Sequence, residues 1–401
     1  MKILVVCQYY YPEEFQINAI CEGLVERGHD VTVLTGLPNY PTGVIPAAYQ
    51  DGKRRTEEYH GVKIQRCFEV PRRKGVIGLA RNYLSFCFFS CKKVLFLPKD
   101  FDVVYIYQLS PVLMGIPGIL YKKLARKKVF LYCCDLWPES VKIMNIREKS
   151  VVFRVLKAIS TFIYRNCDRI GIQSKAFYRY FKEAHDIEQD KLCYIPQFAD
   201  SAYLEKDFNV PHEGFNFVFL GNIGIAQNLD CLVKAAALLK DLNGFKVHIV
   251  GDGSYLEKMK ELVQDNSLED KFIFYGRRPV SEMTKFYCLA DACLLTLEGK
   301  SIIGQTIPSK LQGYMAAGKA VAAAIDGAAQ GVILEADCGR AVAAGDADGL
   351  SGIMRDMVLH AEKYQACGSH GRRYFTEHFT KEHYIDRTEK EMKALVSGGI
   401  I

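Results

Sequence analysis

The sequence lacks any apolar run near the roughly 18–20 residues that a transmembrane helix needs. Its start, MKILVVCQYYYPEE, combines a single early charge with a short apolar run and an early turn. This pattern predicts a first strand and no signal peptide. We therefore expect a cytoplasmic protein that attaches at most to a membrane face.

Two nucleotide-binding motifs are also missing. Neither GxxxxGK[ST] nor GxGxxG occurs at the strand exits, which argues against a P-loop kinase and an ordinary dehydrogenase. The 14 cysteines show no metal-ligand spacing and are expected to be reduced core thiols.

The composition favours two domains. A chain of 401 residues with 49% hydrophobic residues exceeds the size at which one core keeps growing. The net charge of +6 is modest, but Lys and Arg cluster in the first third of the chain, which indicates an anionic partner. The clusters are Lys53–Arg55, Arg72–Lys74 and Lys122–Lys128.

Short apolar runs alternate with helix-period segments along the whole chain, which predicts an α/β fold with two doubly wound parallel sheets. We predict a first domain over 1–200, a linker at 201–214 and a second domain over 215–374. A long amphipathic helix is predicted near the end of the chain, from Lys381 to Val396.

The segment 76–97 interleaves aromatic and aliphatic residues with Arg81, Lys92 and Lys93, and it follows the basic residues Arg72, Arg73 and Lys74. Two interpretations stay open. The helix lies on an anionic membrane surface, or it packs on its own sheet and leaves its basic ends in water.

Two polar loops follow strands of the first domain, on the side where α/β sheets bind ligands. The loop TGLPNYPTG (35–43) carries Asn39 and Tyr40, and DLWPES (135–140) carries Asp135 and the sole tryptophan, Trp137. Asp135 and Glu139 either contact a substrate or cap the following helix.

The stretch 298–326 joins a loop to a small-residue helix and a further strand. Ser309 is a plausible N-cap and Lys310 lies in the first turn, so amide groups, the helix dipole and one ammonium are predicted to converge on an anion. An ordinary strand, loop and helix without a ligand is the alternative, in which Lys310 is a solvated surface lysine.

Three further strand exits of the second half carry glycine: 221–224, 251–254 and 276–279. Glycine lets backbone N–H groups approach a phosphate. Together with the helix start at Ser309, these exits predict a nucleotide diphosphate site on one sheet edge.

The whole chain resembles the family 4 retaining glycosyltransferases of the GT-B fold, and most of all the N-acetyl-L-fucosamine transferase type of bacterial surface-polysaccharide enzyme. The motifs that carry the resemblance are 26–43 (ERGHDVTVLTGLPNYPTG), DLWPES, GNIGIAQNLD (221–230), VGDGS (250–254), GRRPVSEM (276–283) and IPSKLQGYMAAGK (307–319).

The resemblance implies two Rossmann-like domains facing a cleft, with the C-terminal segment 375–401 packing back on the first. It implies that the first domain binds a lipid-linked polyprenyl pyrophosphate saccharide at the inner membrane face, and that the second binds a nucleotide sugar, expected to be UDP-linked. It implies no cofactor and no metal, in agreement with the absence of a clear DxD motif, and no nucleic-acid partner.

On these grounds Lys310, Asp135 and Gln305 are the candidate catalytic residues. The candidate acceptor or membrane residues are Asn39, Tyr40, Arg72, Arg73, Lys74 and Trp137. The candidate donor-binding residues are Gly221, Asn222, Gly224, Gln227, Gly251, Gly253, Arg277, Arg278, Ser309, Lys310 and Leu311.

The sequence departs from the family at several site positions. The usual glutamate pair falls on Gln305 and Gly313, the usual diphosphate-clamping Arg and Lys on Asn222 and Gln227, and the usual histidine before DLWPES on Cys134. These changes keep two alternatives open: a degenerate, non-catalytic nucleotide- or glycan-binding relative, and an epimerase of the same architecture.

Overall fold

The structure is a computed structural model that describes residues 1–73, 75–144, 146–208, 210–299 and 306–398. It contains two compact units. Unit 1 comprises Met1–Ile195 and the chain from Ile385 onward, and unit 2 comprises Pro196–Tyr384. The chain therefore leaves unit 1 five residues before the predicted boundary at 200 and returns at Ile385, not at 375.

Unit 1 is built on one mostly parallel sheet. Its strands are β1 (Lys2–Val6), β2 (Asp30–Thr35), β3 (Thr56–Tyr59), β4 (Val62–Arg66), β5 (Val103–Gln108), β6 (Lys128–Cys133), β7 (Arg169–Ile172) and β8 (Leu192–Tyr194). Its helices are α1 (Gln16–Glu26), α2 (Val76–Val94), α3 (Ile116–Ala125), α4 (Val151–Asn166) and α5 (Ala176–His185).

The strand order in unit 1 is β3-β4-β2-β1-β5-β6-β7-β8, and β3 alone of the described strands runs antiparallel to its neighbour. The strand order reverses between β1 and β5, the place where ligands bind in doubly wound sheets. The central strands β1, β5 and β6 are almost wholly buried, because both faces of a parallel sheet are covered.

Unit 2 repeats this arrangement. Its strands are β9 (Phe215–Leu220), β10 (Phe245–Val250), β11 (Phe272–Gly276), β12 (Ala292–Thr296), β13 (Ala320–Ala324) and β14 (Gly339–Val342). Its helices are α6 (Leu229–Ala237), α7 (Leu256–Asp265), α8 (Met283–Leu289), α9 (Ser309–Ala316), α10 (Gly327–Glu335), α11 (Ala347–Leu359) and α12 (Gln365–His378).

The described strands of unit 2 are all parallel, in the order β11-β10-β9-β12-β13-β14, and the order reverses between β9 and β12. This is the strand order of a Rossmann fold. The prediction of two Rossmann-like α/β domains is confirmed.

The last helix, α13 (Lys381–Ser397), begins in unit 2 and continues into unit 1. Charged contacts hold its second half to unit 1. Glu389 lies 2.8 Å from His29 Nε2 and 3.2 Å from an Arg27 nitrogen, and Glu391 accepts a 2.7 Å hydrogen bond from Arg169 Nε. The helix therefore crosses back to the first domain, as the resemblance implies.

Candidate functional site

The exits of β9, β10 and β11 meet at the carboxyl edge of the unit 2 sheet. They enclose a cavity of about 460 Å³ beside the strand-order reversal. It is lined by Gly221, Asn222, Val250, Gly251, Asp252, Gly253, Arg277, Arg278 and Met283. The structure thus brings most of the predicted donor-binding residues together at one place.

Two glycines of this cavity have a packing role. Gly221 N donates to Val250 O at 2.8 Å and Gly251 N to Gly276 O at 3.0 Å, so these two amides are already hydrogen-bonded within the protein. A Cβ on Gly251 would lie 1.8 Å from Gly221 O. Gly251 therefore lets neighbouring exits pack against one another, and the contact of the glycines with phosphate stays a prediction.

Lys310 is the main cation beside the β9 exit. Its Nζ lies 3.5 Å from Asn222 O and 4.1 Å from the centre of the Phe219 ring, and its side-chain carbons pack against Gly221. Burial lowers the pKa of Lys310 to about 8. Among the described residues no carboxylate pairs with it. It is a half-buried ammonium that has no counter-ion in the described part of the chain.

The start of α9 differs from the prediction. Pro308 is the N-cap and makes no side-chain capping bond, so Ser309 is the first helical residue and not the cap. Leu311 is fully buried and its amide donates to Pro308 O, so it anchors the helix in the core. Of the predicted residues Ser309, Lys310 and Leu311, Lys310 is the one with a described side-chain contact to the β9 exit.

Asn222 and Gln227 stand where the family carries Arg and Lys. Gln227 Oε1 accepts hydrogen bonds from Gly224 N at 3.1 Å and from Asn222 Nδ2 at 3.3 Å. The Gln227 carbonyl accepts from Thr296 Oγ1 at 2.5 Å. These hydrogen bonds therefore stabilise the loop that follows β9 and connect it to β12. Asn222 and Gln227 add no charge there.

Arg277 and Arg278 are the two cationic residues in the lining of the cavity. Both side chains are exposed, and Arg278 Nε donates to Tyr275 O at 3.1 Å. In the described part of the chain neither arginine has an ion-pair partner. The predicted residue Gln305 lies outside the described residues.

Asp135 occupies the carboxyl edge of unit 1, directly after β6. It accepts a 2.7 Å hydrogen bond from Ser110 Oγ, which in turn accepts from Trp137 Nε1 at 3.0 Å. Burial raises the pKa of the Asp135 carboxyl. Because its partner is Ser110, Asp135 does not cap a helix.

Trp137 is buried beside Asp135. Only 5% of its surface is exposed, and its indole N–H donates to Ser110 Oγ. Trp137 therefore helps to fix the Asp135 loop, and its contact with an acceptor stays a prediction. Cys134, at the usual histidine position, is likewise buried.

The other acceptor candidates lie after β2 and β4. Asn39 is buried and Tyr40 is 43% exposed, whereas Arg72 is half-buried and Arg73 exposed. Lys74 lies outside the described residues. Two buried acids, Glu13 and Glu69, accept hydrogen bonds from this loop. Sequence reasoning missed them, because their partners lie more than 25 residues away along the chain.

The helix α2 shows both features that its sequence left open. One face of the helix is buried against the rest of unit 1 and consists of Asn82, Phe86, Ser90 and Val94. The opposite face exposes Ile77 (78%), Leu84 (59%) and Phe88 (65%), and Phe96 (77%) follows the helix. We call these four residues the apolar stripe. No helix in the described part of the chain is both long and apolar enough to cross a membrane.

Comparison with known families decides the class of protein. Residues 14–197 match the Glycosyl transferase 4-like domain, and residues 202–374 match Glycosyl transferases group 1. The chain joins a glycosyltransferase 4-like domain to a group 1 glycosyltransferase domain. The first range lies in unit 1 and contains every strand of its sheet except β1, and the second lies in unit 2 and contains all the described strands of its sheet.

Two curated relatives match most of this chain. The probable glycosyltransferase WbjE of Pseudomonas aeruginosa is 27% identical over 66% of this chain and 68% of its own. The putative colanic acid biosynthesis glycosyl transferase WcaI of Escherichia coli K12 is 24% identical over 79% and 82%. Anabaena HepE, solved in complex with UDP, superposes with a TM-score of 0.71 at 15% identity over 98% of this chain and 100% of HepE, which shows the shared GT-B fold.

Proposed function

We propose that this glycosyltransferase moves a sugar from a UDP-linked donor, held by unit 2, to a lipid-linked saccharide, held by unit 1. The single observation that carries the proposal is Lys310, a desolvated ammonium without a carboxylate partner at the β9 exit. A diphosphate is the natural counter-ion for such a group. The UDP named in the HepE structure supports the choice of nucleotide.

The proposed reaction retains the anomeric configuration and needs no metal. The bond between the anomeric carbon and the donor phosphate breaks, and a bond to the acceptor oxygen forms on the same face. Lys310, with Arg277 and Arg278, stabilises the charge that grows on the departing diphosphate. Asp135 binds the acceptor hydroxyl, whose proton passes to the departing phosphate. Among the described residues no group of three His, Cys, Asp or Glu side chains is arranged to hold a metal ion.

The biological setting is proposed from the relatives and the surface. The name of WcaI supports a role in surface-polysaccharide synthesis, such as O-antigen, capsule or exopolysaccharide. The donor sugar we propose is an N-acetylated deoxyhexosamine, and the acceptor is a saccharide on polyprenyl pyrophosphate. The apolar stripe on α2 supports the proposal that the protein acts at the inner face of the plasma membrane.

The test is release of UDP by the purified full chain. We expect release from UDP-sugars only when a lipid extract containing the acceptor is added, a product mass larger by one sugar, and the same rate in EDTA. Proton NMR of the product reports the retained configuration. Binding of UDP-sugar without any transfer would instead favour the degenerate, non-catalytic relative, which the changes at Gly313 and Asn222 keep in consideration.

The affinity for UDP should depend on pH through Lys310. Since the pKa of this group is about 8 in the free protein, the ammonium is already charged below pH 8 and the affinity should be flat there. Above pH 8, binding must take up a proton, so the Kd should rise by up to about tenfold per pH unit. Calorimetric titration between pH 7 and 9.5 measures this.

Lys310→Arg provides the control, because a guanidinium stays charged throughout this range. We expect its Kd to change little between pH 7 and 9.5. The same rise in both proteins would show that another group titrates.

The apolar stripe should bind anionic vesicles. Exposed Arg73, Arg81 and Lys92 accompany it, and each basic residue near an anionic bilayer contributes about 1 kcal/mol. We expect co-sedimentation with vesicles that contain phosphatidylglycerol and little with neutral vesicles. Ile77→Ser with Phe88→Ser should weaken it several-fold.

Val280→Ser is the matched control, because Val280 is 74% exposed in unit 2 and lies outside the stripe. It should leave vesicle binding unchanged. Equal binding to neutral and anionic vesicles, or no effect of the stripe substitutions, would show that α2 does not contact the membrane.

A further inference from the structure

Arg72 differs from its neighbour Arg73 in being held in place. Its backbone N–H donates to Asn39 Oδ1 at 2.8 Å, its guanidinium donates to Tyr9 Oη at 3.1 Å, and its guanidinium carbon lies 5.3 Å from the centre of the Tyr40 ring. No described carboxylate lies within ion-pair distance of it. Arg72 is thus a fixed, half-buried cation that has no counter-ion among the described residues.

Aromatic rings surround this guanidinium. Tyr9, Phe15 and Tyr40 contact one another with ring centres 5.3 to 5.4 Å apart. Tyr9 is buried, whereas Tyr40 exposes 43% of its surface. The cluster therefore places the partly exposed ring and phenol of Tyr40 beside the positive charge of Arg72. Both residues lie at the carboxyl edge of the unit 1 sheet.

Two buried carboxylates fix the loop that carries Tyr40. Glu13 Oε1 accepts hydrogen bonds from the backbone N–H of Asn39 at 2.7 Å and of Tyr40 at 2.5 Å. Glu69, which is fully buried, accepts from Asn39 Nδ2. Gly36 is needed for the fit, because a Cβ there would lie 2.5 Å from Glu69 Oε2. The geometry around Arg72 is therefore preorganised.

We propose that Arg72, with Tyr9 and Tyr40, forms a subsite for the phosphate group of the acceptor. A guanidinium binds phosphate through paired N–H donors, the two phenols add hydrogen bonds, and the Tyr40 ring packs on the adjoining sugar or isoprenoid. This inference rests on the proposed function. In this proposal Arg72 binds the acceptor, whereas the apolar stripe and Arg73 contact the membrane surface.

The test uses farnesyl pyrophosphate as the probe, with the full chain and saturating UDP to occupy the donor site. Equilibrium dialysis should show binding that Arg72→Gln weakens at least about tenfold, as expected for loss of a charge-assisted contact. The affinity of Arg72→Lys for the probe should lie between those of the wild type and Arg72→Gln, because an ammonium keeps the charge but lacks the paired donors. Farnesol, which has no phosphate, should not bind.

Arg154→Gln is the control, since it removes one exposed charge from α4 of the same unit; it should bind the probe as the wild type does. Unchanged binding by Arg72→Gln, equal loss in Arg73→Gln, or equal binding of farnesol would overturn the subsite. A loss of binding to phosphatidylglycerol vesicles in Arg72→Gln, without loss of the probe, would identify a membrane headgroup as the phosphate source.

Separate measurements keep this inference distinct from the proposed function. UDP binding and melting temperature should be unchanged in Arg72→Gln, because Arg72 lies in unit 1. If the wild type binds the probe but does not bind UDP, the proposed donor fails and the phosphate subsite stands.

Discussion

Lys310→Ala should reduce kcat by about 10²–10³, the usual cost of removing one electrostatic contact to a developing charge. Negative charge grows on the departing diphosphate, so the ammonium stabilises the transition state more than the bound donor. The melting temperature should stay near that of the wild type, because the lost side chain is half-buried, lies in the first turn of α9 and pairs with no described carboxylate. Steady-state kinetics and thermal unfolding measure the two effects.

Lys285→Ala serves as the control, because this lysine lies on α8 of unit 2 and its side chain is 74% exposed. It should leave kcat unchanged. A Lys310→Ala protein with wild-type turnover and wild-type melting temperature would show an ordinary surface lysine. The diphosphate contact would then belong to Arg277 or Arg278, the two cationic residues that line the cavity.

The architecture was predictable because buried parallel strands have a simple sequence pattern. Strands such as β5 and β6 are continuous apolar runs, and the runs alternate with helix-period segments, so the doubly wound class follows. Strand β3 (TEEY) was missed because it is a charged edge strand with alternating exposure, stabilised by its pairing with β4. That pairing is not visible in local sequence.

The candidate site was predictable only in part, for a physical reason. Strand exits can be placed from sequence, and Lys310 does lie beside the β9 exit. The partners of each group depend on tertiary packing. Gly251 donates its amide to another exit, and Trp137 is buried against Ser110. Glu69 accepts a hydrogen bond from Asn39, which lies 30 residues earlier in the chain. Position on the sheet edge follows from the sequence, but hydrogen-bond partners do not.

Gly251→Ala should have the largest effect on stability. Gly251 has a φ of +153°, and its Cβ would lie 1.8 Å from the carbonyl oxygen of Gly221. Because that oxygen is backbone, the exits of β9 and β10 would have to separate, which also breaks the bond from Gly221 N to Val250 O that joins them. We expect a loss of more than about 4 kcal/mol, or a fall in melting temperature of about 10 °C for a unit of this size.

The same substitution should abolish UDP binding, because the separated exits no longer support Lys310. Gly331→Ala is the matched control: Gly331 lies inside α10, is exposed, and a Cβ there meets nothing within 4 Å. Alanine should stabilise that helix by about 0.5–1 kcal/mol. Since both changes add one methyl group to unit 2, opposite shifts in melting temperature would isolate the contact between the exits as the cause. A Gly251→Ala protein that melts like the wild type and binds UDP would show that the exits can separate without cost, and that the glycines at this edge are not required by packing.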